Sequence, residues 1–343
     1  MGKNGGDCFL KKIGTIFAAV AAVALIVFIV WDGYFNKSSS ANFFAMDTVI
    51  SATVSGIDSE KCTEEIEACV SGLDGILSRH SESSEISRIN REKNNISISE
   101  KLGGYFTALL DVCKKSDGAF DITLGAVSDL WSFGKNAKVP DEAALQKTLS
   151  ESGYENITLS GNTLTLSSGK IDFGAVGKGI ALDEIRTILD GKKINNATVS
   201  VGGSVLIYGK ETVKVGIRDP YGNAGRSIAT LPLSDICVST SGSYERRFEE
   251  NGKSYHHIID PKTGYPVENG LISVTVISES GLVSDALSTA CFVLGIEKGI
   301  ELAKTYGCEA VFITENKQIY TTEGIASEIE ITDIAYTLIG YEN

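Results

Sequence analysis

Three short stretches hold side chains that can do phosphate, metal or proton chemistry. Residues 170–183 (KIDFGAVGKGIALD) read as a short strand, a glycine-rich loop and a helix start, an arrangement whose backbone N–H groups can cradle a phosphate. The spacing of Gly174, Gly177 and Gly179 matches neither the dinucleotide fingerprint nor the P-loop. A tight strand-to-helix turn with no ligand fits the same pattern, and Asp172 and Lys178 tilt it towards polar recognition. In the second stretch, Ser284-Asp285-Ala286-Leu287-Ser288-Thr289 opens a helix, with Asp285 and Thr289 one turn apart on one face. A carboxylate and a hydroxyl so placed suit Mg²⁺, a hard cation that takes oxygen ligands and keeps water; capping of the helix by Asp285 needs no ion. The third stretch, 255–261, ends a strand in a turn and carries His256 and His257. Alternation sends adjacent side chains to opposite faces, so one of the pair at most enters a given site, either as a general base or as a satisfied polar residue. The remaining histidine, His80, reads as a solvated residue at a helix end.

The elements that must position these groups follow from periodicity. Residues 59–79 place Cys62, Ile66, Cys69, Val70, Leu73, Ile76 and Leu77 at helical spacing behind a serine cap. A second helix starts at Ser99, with Leu102, Tyr105, Phe106, Leu109 and Cys113 on one face and Gly118 beyond its end. Residues 157–160 and 163–167 read as a hairpin about Gly161-Asn162. Strand signals then dominate, at 197–201, 205–208, 213–217, 228–232, 244–249, 254–259 and 271–278. Helical patterns at 283–294 and 297–306 and a hairpin around 315–317 close the chain. This mixture predicts an α+β fold of mixed and antiparallel sheets with packed helices, not a doubly wound parallel sheet.

Composition bounds the rest. A chain of 343 residues with 43% hydrophobic and 22% charged residues is globular and can bury a sizeable core. Its net charge of -13 repels a nucleic-acid backbone, so no nucleic-acid partner is expected, and a phosphate-bearing ligand calls for a bridging cation. The seven cysteines form no CxxC pair and no cluster with histidine, so no structural zinc site is expected. Cys62 and Cys69 lie two helical turns apart, about 10 Å along the axis and beyond disulfide reach, so the cysteines read as buried free thiols. Residues 13–31 carry no charge, a run of about 19 residues that matches a bilayer core, and Lys3, Lys11 and Lys12 precede it. By the positive-inside rule this predicts a cytoplasmic N-terminus and one transmembrane helix over 1–35, a polar linker over 36–42, and an extracytoplasmic body over 43–343 of a single-pass cell-membrane protein. A cleaved signal peptide ending near Ser39-Ser40-Ala41 is the alternative.

Taken in order, the segments resemble one family. They are Met46-Asp47-Thr48, Ala119-Phe120-Asp121-Ile122-Thr123 with 131–134 after it, 171–179, 200–204, 216–220, 239–244, 257–264 and 284–290. Singly weak and jointly specific, they resemble the ApbE-like FAD:protein FMN transferases across roughly 44–323. The resemblance implies an ApbE-like fold in an enzyme that binds FAD with Mg²⁺ and transfers FMN to a threonine or serine hydroxyl of another protein, releasing AMP. It implies metal ligation by the Ala175 carbonyl, Asp285 and Thr289. Flavin contacts fall on Met46, Phe120, Asp121, Ile122, Asp172, Lys178 and Ile259, and the catalytic histidine on His257, with Asp285 the other candidate proton acceptor. The implied partners are FMN-binding acceptor domains, such as subunits of Rnf-type or sodium-pumping quinone reductase complexes or extracellular flavin electron carriers. Two alternatives share these residues: an FAD pyrophosphatase giving FMN and AMP, and a non-enzymatic extracellular flavin-binding protein. An ordinary histidine pKa near 6.5 suits His257 as a base at neutral pH, and Asp285 is expected to be partly hydrated.

Overall fold

A computed structural model describes residues 37–134, 136–222 and 225–340, and within them the chain begins as a strand where a polar linker was expected. Strand β1 (Ser38–Ala45) pairs antiparallel with β2 (Thr48–Gly56), in unbroken register from Ser38↔Ser55 to Ala45↔Thr48. The composition of β1, SSSANFFA, hides a strand because its hydroxyls are used laterally: Ser39 bonds Thr63 and Ser40 bonds Thr53. The connecting Met46 and Asp47 both have positive φ, 52° and 57°, the backbone that a two-residue hairpin turn of matching twist requires. The expected transmembrane helix lies outside the described residues; among the described residues no helix is long and apolar enough to cross a membrane.

Helices α1 (Ser59–Leu77) and α2 (Glu85–Glu92), the short β3 (Ile96–Ser97), and helices α3 (Glu100–Lys115), α4 (Gly125–Trp131) and α5 (Glu142–Ser150) follow. Ser84, Ser99 and Asp141 cap α2, α3 and α5 through their side-chain oxygens. After the hairpin of β4 (Ile157–Ser160) and β5 (Thr163–Leu166) come α6 (Gly177–Asp190), β6 (Ile194–Val201), β7 (Ser204–Gly209), β8 (Val213–Arg218), β9 (Ser227–Leu233) and β10 (Ile236–Gly242). The chain continues through β11 (Arg247–Glu250), β12 (Lys253–His256), β13 (Leu271–Ser278), α7 (Gly281–Leu294), α8 (Ile296–Thr305), β14 (Glu309–Thr314), β15 (Gln318–Thr321), β16 (Glu330–Ile331) and β17 (Thr337–Leu338).

The largest sheet has nine strands in the order β1-β2-β6-β7-β10-β13-β14-β15-β17, antiparallel except for the β15/β17 pair. One face carries Ile50, Ala52, Val54, Val199, Val201 and Leu206, which share the main core with Ile66, Val70, Ile180, Ile185, Leu287 and Phe292 of α1, α6 and α7. On the other face, Val238, Ile277, Val311 and Ile313 pack against Ile217, Ile228 and Leu231 from the β8-β9-β16 sheet. A satellite core surrounds Trp131, whose indole N–H donates to the Gly264 carbonyl at 2.8 Å. The α+β expectation thus holds. The strand expected at 244–249 is instead β11, and β10 precedes it unanticipated. Its sequence, ICVSTSG, lacks an apolar run because Ser239 and Ser241 bond hydroxyls of α7. Cys62, Cys113, Cys237, Cys291 and Cys308 are buried free thiols and Cys69 is a half-buried one.

Candidate active site

The site forms where two helices start against each other. Gly179 in the first turn of α6 touches Gly281 at the start of α7: a Cβ on Gly179 would stand 2.1 Å from the Gly281 carbonyl oxygen, and one on Gly281 2.4 Å from that of Gly179. Only glycine permits this approach. Each helix then caps the other. Asp183 of α6 accepts from the Ser280 hydroxyl at 2.8 Å and from the N–H groups of Gly281 and Leu282 at 2.5 and 2.9 Å. Asp285 of α7 accepts from the Gly179 N–H at 2.8 Å through Oδ2 and from the Ser204 hydroxyl at 3.2 Å through Oδ1. Both carboxylates sit where the positive ends of the helix dipoles favour them.

This arrangement corrects the expectation of a partly hydrated Asp285, which is 3% exposed. Burial pushes its carboxyl above the usual range; Lys178 and the bonds from Gly179 and Ser204 pull it down, and Glu245 raises it again. Lys178 reaches across to the turn between β6 and β7. A Cβ on Gly202, whose φ is 60°, would lie 2.9 Å from Thr48 Oγ1 and 3.3 Å from Lys178 Cδ. At Gly203 the same construction meets Lys178 Nζ at 3.6 Å and Glu245 Oε1 at 3.8 Å. The β1–β2 turn closes the other side, with Met46 Cε 3.0 Å from where a Gly177 Cβ would be. Met46, Lys178 and Asp285 therefore line one locus at the strand ends, and Thr289 extends it along α7, its hydroxyl 3.1 Å from Ser241 Oγ. Ala175 is exposed in the loop just before α6.

The donors that the resemblance implies are hard oxygens: one carboxylate, the Thr289 hydroxyl and the Ala175 carbonyl. Among the described residues no group of three or more His, Cys, Asp or Glu side chains gathers to hold a metal. A set with a single carboxylate does not fit zinc. It fits Mg²⁺, which is held by one or two carboxylates together with substrate phosphates and water.

His257 and His256 part company, as alternation requires. His256 accepts the Ile258 N–H at 3.3 Å through Nδ1 and therefore donates from Nε2 to the Val267 carbonyl at 2.9 Å; its ring meets Phe292 edge-on. Both its nitrogens serve the fold. His257 has a buried Nδ1 with no protein partner among the described residues. Burial first, and then the charges of Arg246, His256 and Lys178, lower its pKa from 6.5 to about 4. The ordinary value expected from sequence is thus corrected: the ring is neutral through the physiological range.

The residues expected as flavin contacts at 120–122 also serve the fold. Phe120 and Ile122 are 3% and 2% exposed and belong to the main core. Asp121 accepts from the Thr123 N–H and hydroxyl at 2.7 and 2.6 Å and from the Tyr154 N–H at 2.9 Å, so its carboxylate pins the loop. The Ile122 carbonyl accepts from the Asp172 N–H at 2.8 Å. Asp172 itself is oriented by the Gly174 N–H at 2.8 Å and by Arg79 Nε at 2.9 Å. Ile259 packs in the Trp131 cluster. Sequence reasoning missed Ser204, Glu245, Arg246, Asp183 and Arg79. The Gly-x-x-x-Asp spacing shared by Gly179/Asp183 and Gly281/Asp285 is the signal that marks Asp183.

The sequence model of the ApbE family matches residues 46–312. The FAD:protein FMN transferase of Treponema pallidum is 31% identical over 300 residues, spanning 80% of this chain and 83% of that protein. The crystal structure of the ApbE protein from Thermotoga maritima superposes with a TM-score of 0.79 at 32% identity, covering 85% of this chain and 99% of that one. The apo flavinyl transferase ApbE of Pseudomonas stutzeri gives 0.76 at 27% identity over 85% and 97%. The matched span contains every residue of the locus from Met46 to Thr289, and the chain belongs to the ApbE family.

Proposed function

We propose that the protein transfers FMN from FAD to a threonine or serine hydroxyl of an acceptor protein and releases AMP, with Mg²⁺ as its cofactor. The observation that carries this reading is the Asp285 carboxylate, buried between two helix starts beside Lys178, in a site that also holds the unpartnered nitrogen of His257. Lys178 and the positive end of the α6 dipole would face a diphosphate with positive charge. Mg²⁺, held by Asp285, Thr289 and the Ala175 carbonyl, would neutralise the diphosphate and polarise a phosphoryl oxygen. The acceptor oxygen forms a bond to the FMN-side phosphorus while the bridging P–O bond to AMP breaks. The acceptor proton passes to the His257 ring, which is neutral at neutral pH and whose Nδ1 has no hydrogen-bond partner among the described residues. Asp285 is less suited to that task because both its oxygens already accept hydrogen bonds.

The uncharged run at 13–31 with lysines ahead of it supports a body anchored on the extracytoplasmic side, where FMN-binding domains of membrane quinone reductases or flavin electron carriers would be its acceptors. Protease added to intact cells should then remove the body. The enzymatic reading is tested with FAD, Mg²⁺ and a flavin-acceptor domain, by mass spectrometry of the acceptor. A covalent FMN adduct on one hydroxyl residue is expected. Free FMN and AMP with an unmodified acceptor would establish hydrolysis, and unchanged FAD a carrier.

A further inference from the structure

Strand β10 is tied to α7 by two hydroxyl rungs, and one of them continues to Thr289. Ser239 and Ser241, alternate residues on one face of β10, meet Ser284 and Ser288, one turn apart on α7, at 2.9 and 2.8 Å. In each rung the helix serine donates to the carbonyl three residues earlier, Ser284 to Gly281 and Ser288 to Asp285, both at 2.9 Å. Ser239, Ser284 and Ser288 are buried. The second rung differs because Ser241 Oγ also lies 3.1 Å from Thr289 Oγ1. A threonine inside a helix can donate its proton to the carbonyl four residues earlier, as Thr107, Thr187 and Thr305 do here at 2.9, 3.0 and 2.9 Å. For Thr289 that carbonyl belongs to Asp285, and Ser288 already donates to it.

Resting on the transferase reading and its Mg²⁺, we propose that Ser241 and Ser288 are positioning residues that draw the Thr289 proton into the protein and leave the Thr289 oxygen as an acceptor for the cation. Each hydroxyl has one proton to give and two lone pairs. Ser288 gives its proton to the Asp285 carbonyl, which can only accept. Between the two serines Ser241 is then the donor, and Ser241 in turn accepts from Thr289. The Thr289 proton is thereby committed, and its lone pairs remain for an ion beside the Asp285 carboxylate one turn away. A cation on that oxygen polarises the O–H bond and strengthens each donor behind it. The relay carries no charge, so it orients the ligand without altering the field at the site. The Ser239 rung holds the same helix without a bond to Thr289 and serves as an internal control.

The test titrates the full chain with Mn²⁺ in the presence of FAD and without acceptor, reading the free ion by electron paramagnetic resonance, so that the result does not depend on turnover. Ser241→Ala should weaken Mn²⁺ binding about tenfold or more, with the FAD dissociation constant measured without metal unchanged. Ser239→Ala should lower the melting temperature about as much as Ser241→Ala does, yet leave Mn²⁺ affinity intact. In a Thr289→Ala background, Ser241→Ala should have no further effect on Mn²⁺, because the group it orients is gone. If the alanine variant fails to fold, Ser241→Cys, whose thiol is a weak donor, should show the same loss. Unaltered Mn²⁺ affinity overturns the proposal. So does an equal loss in Ser239→Ala, which would reduce both serines to helix placement, or an undiminished loss in the Thr289→Ala background. An unsubstituted chain that binds no Mn²⁺ removes the cation from the transferase reading and the relay with it, whereas bound Mn²⁺ indifferent to Ser241 sinks the relay alone.

Discussion

Asp183 and Asp285 are reciprocal caps: each lies four residues after the glycine at which α6 and α7 touch, and each accepts from the N-terminal N–H groups of the other helix. The carboxylate that would hold the cation and the carboxylate that fixes its helix are thus parts of one structural unit. Asp183→Ala should therefore weaken more than the fold. Loss of a cap with several donors costs about 2 kcal/mol, read as a lower melting temperature. Removal of an outer partner typically weakens a metal site by about 10- to 100-fold, which Mg²⁺ titration of transfer would show. Normal Mg²⁺ dependence in a destabilised Asp183→Ala protein would reduce Asp183 to a plain cap.

Ser204 donates to Asp285 Oδ1 from the start of β7. Ser204→Ala deletes that bond without changing charge, so Mg²⁺ affinity should fall by about tenfold while FAD binding without metal is unchanged. An unaffected Mg²⁺ titration would show that the serine does not orient the ligand.

The Gly179/Gly281 contact admits no side chain. Gly179→Ala, with its Cβ 2.1 Å from a backbone oxygen, must push the helices apart, at a cost of roughly 3 kcal/mol, and activity should be lost together with stability. Gly252 sits at a hairpin turn where a Cβ would meet nothing, although its φ is 77°; Gly252→Asn, a residue that tolerates this backbone, should leave both intact. Thermal melts and transfer rates on both variants check the contrast.

His257 should set the acid limb of kcat/KM. Its neutral form is the one that accepts a proton, and burial and neighbouring positive charge lower its pKa to about 4. The rate should accordingly hold as pH falls through 6.5 and decline only near 4, because kcat/KM reports the free enzyme. His257→Ala should lose about 10²- to 10⁴-fold in rate with FAD affinity kept. His256→Ala should instead lower stability by about 1–3 kcal/mol, since it strips partners from the Ile258 N–H and the Val267 carbonyl. An acid limb near 6.5 that disappears in His257→Ala would contradict the buried, neutral ring.

Much of this was legible in the sequence because periodicity and caps are local. The helix behind Ser99 and the hairpin at Gly161-Asn162 are present, and five of the six described cysteines are buried. Strands β1 and β10 were not legible, since their serines bond laterally to Thr53, Thr63 and the hydroxyls of α7 rather than signalling burial. Candidate site residues could be named one by one, but three of their states depend on contacts made by other parts of the chain. Burial of Asp285 needs Gly179, more than 100 positions earlier. The lowered pKa of His257 needs its burial first and then the charges of Arg246, His256 and Lys178. The internal use of Asp121 needs Tyr154.

The central claim is transfer rather than hydrolysis, and AMP stoichiometry tests it most directly. With Mg²⁺, FAD and a labelled acceptor domain, AMP should appear in a one-to-one ratio with covalently flavinylated acceptor and stop when the acceptor hydroxyl is consumed. Replacing that hydroxyl residue with valine should abolish AMP release. AMP and free FMN accumulating at the same rate with or without the hydroxyl would contradict the account.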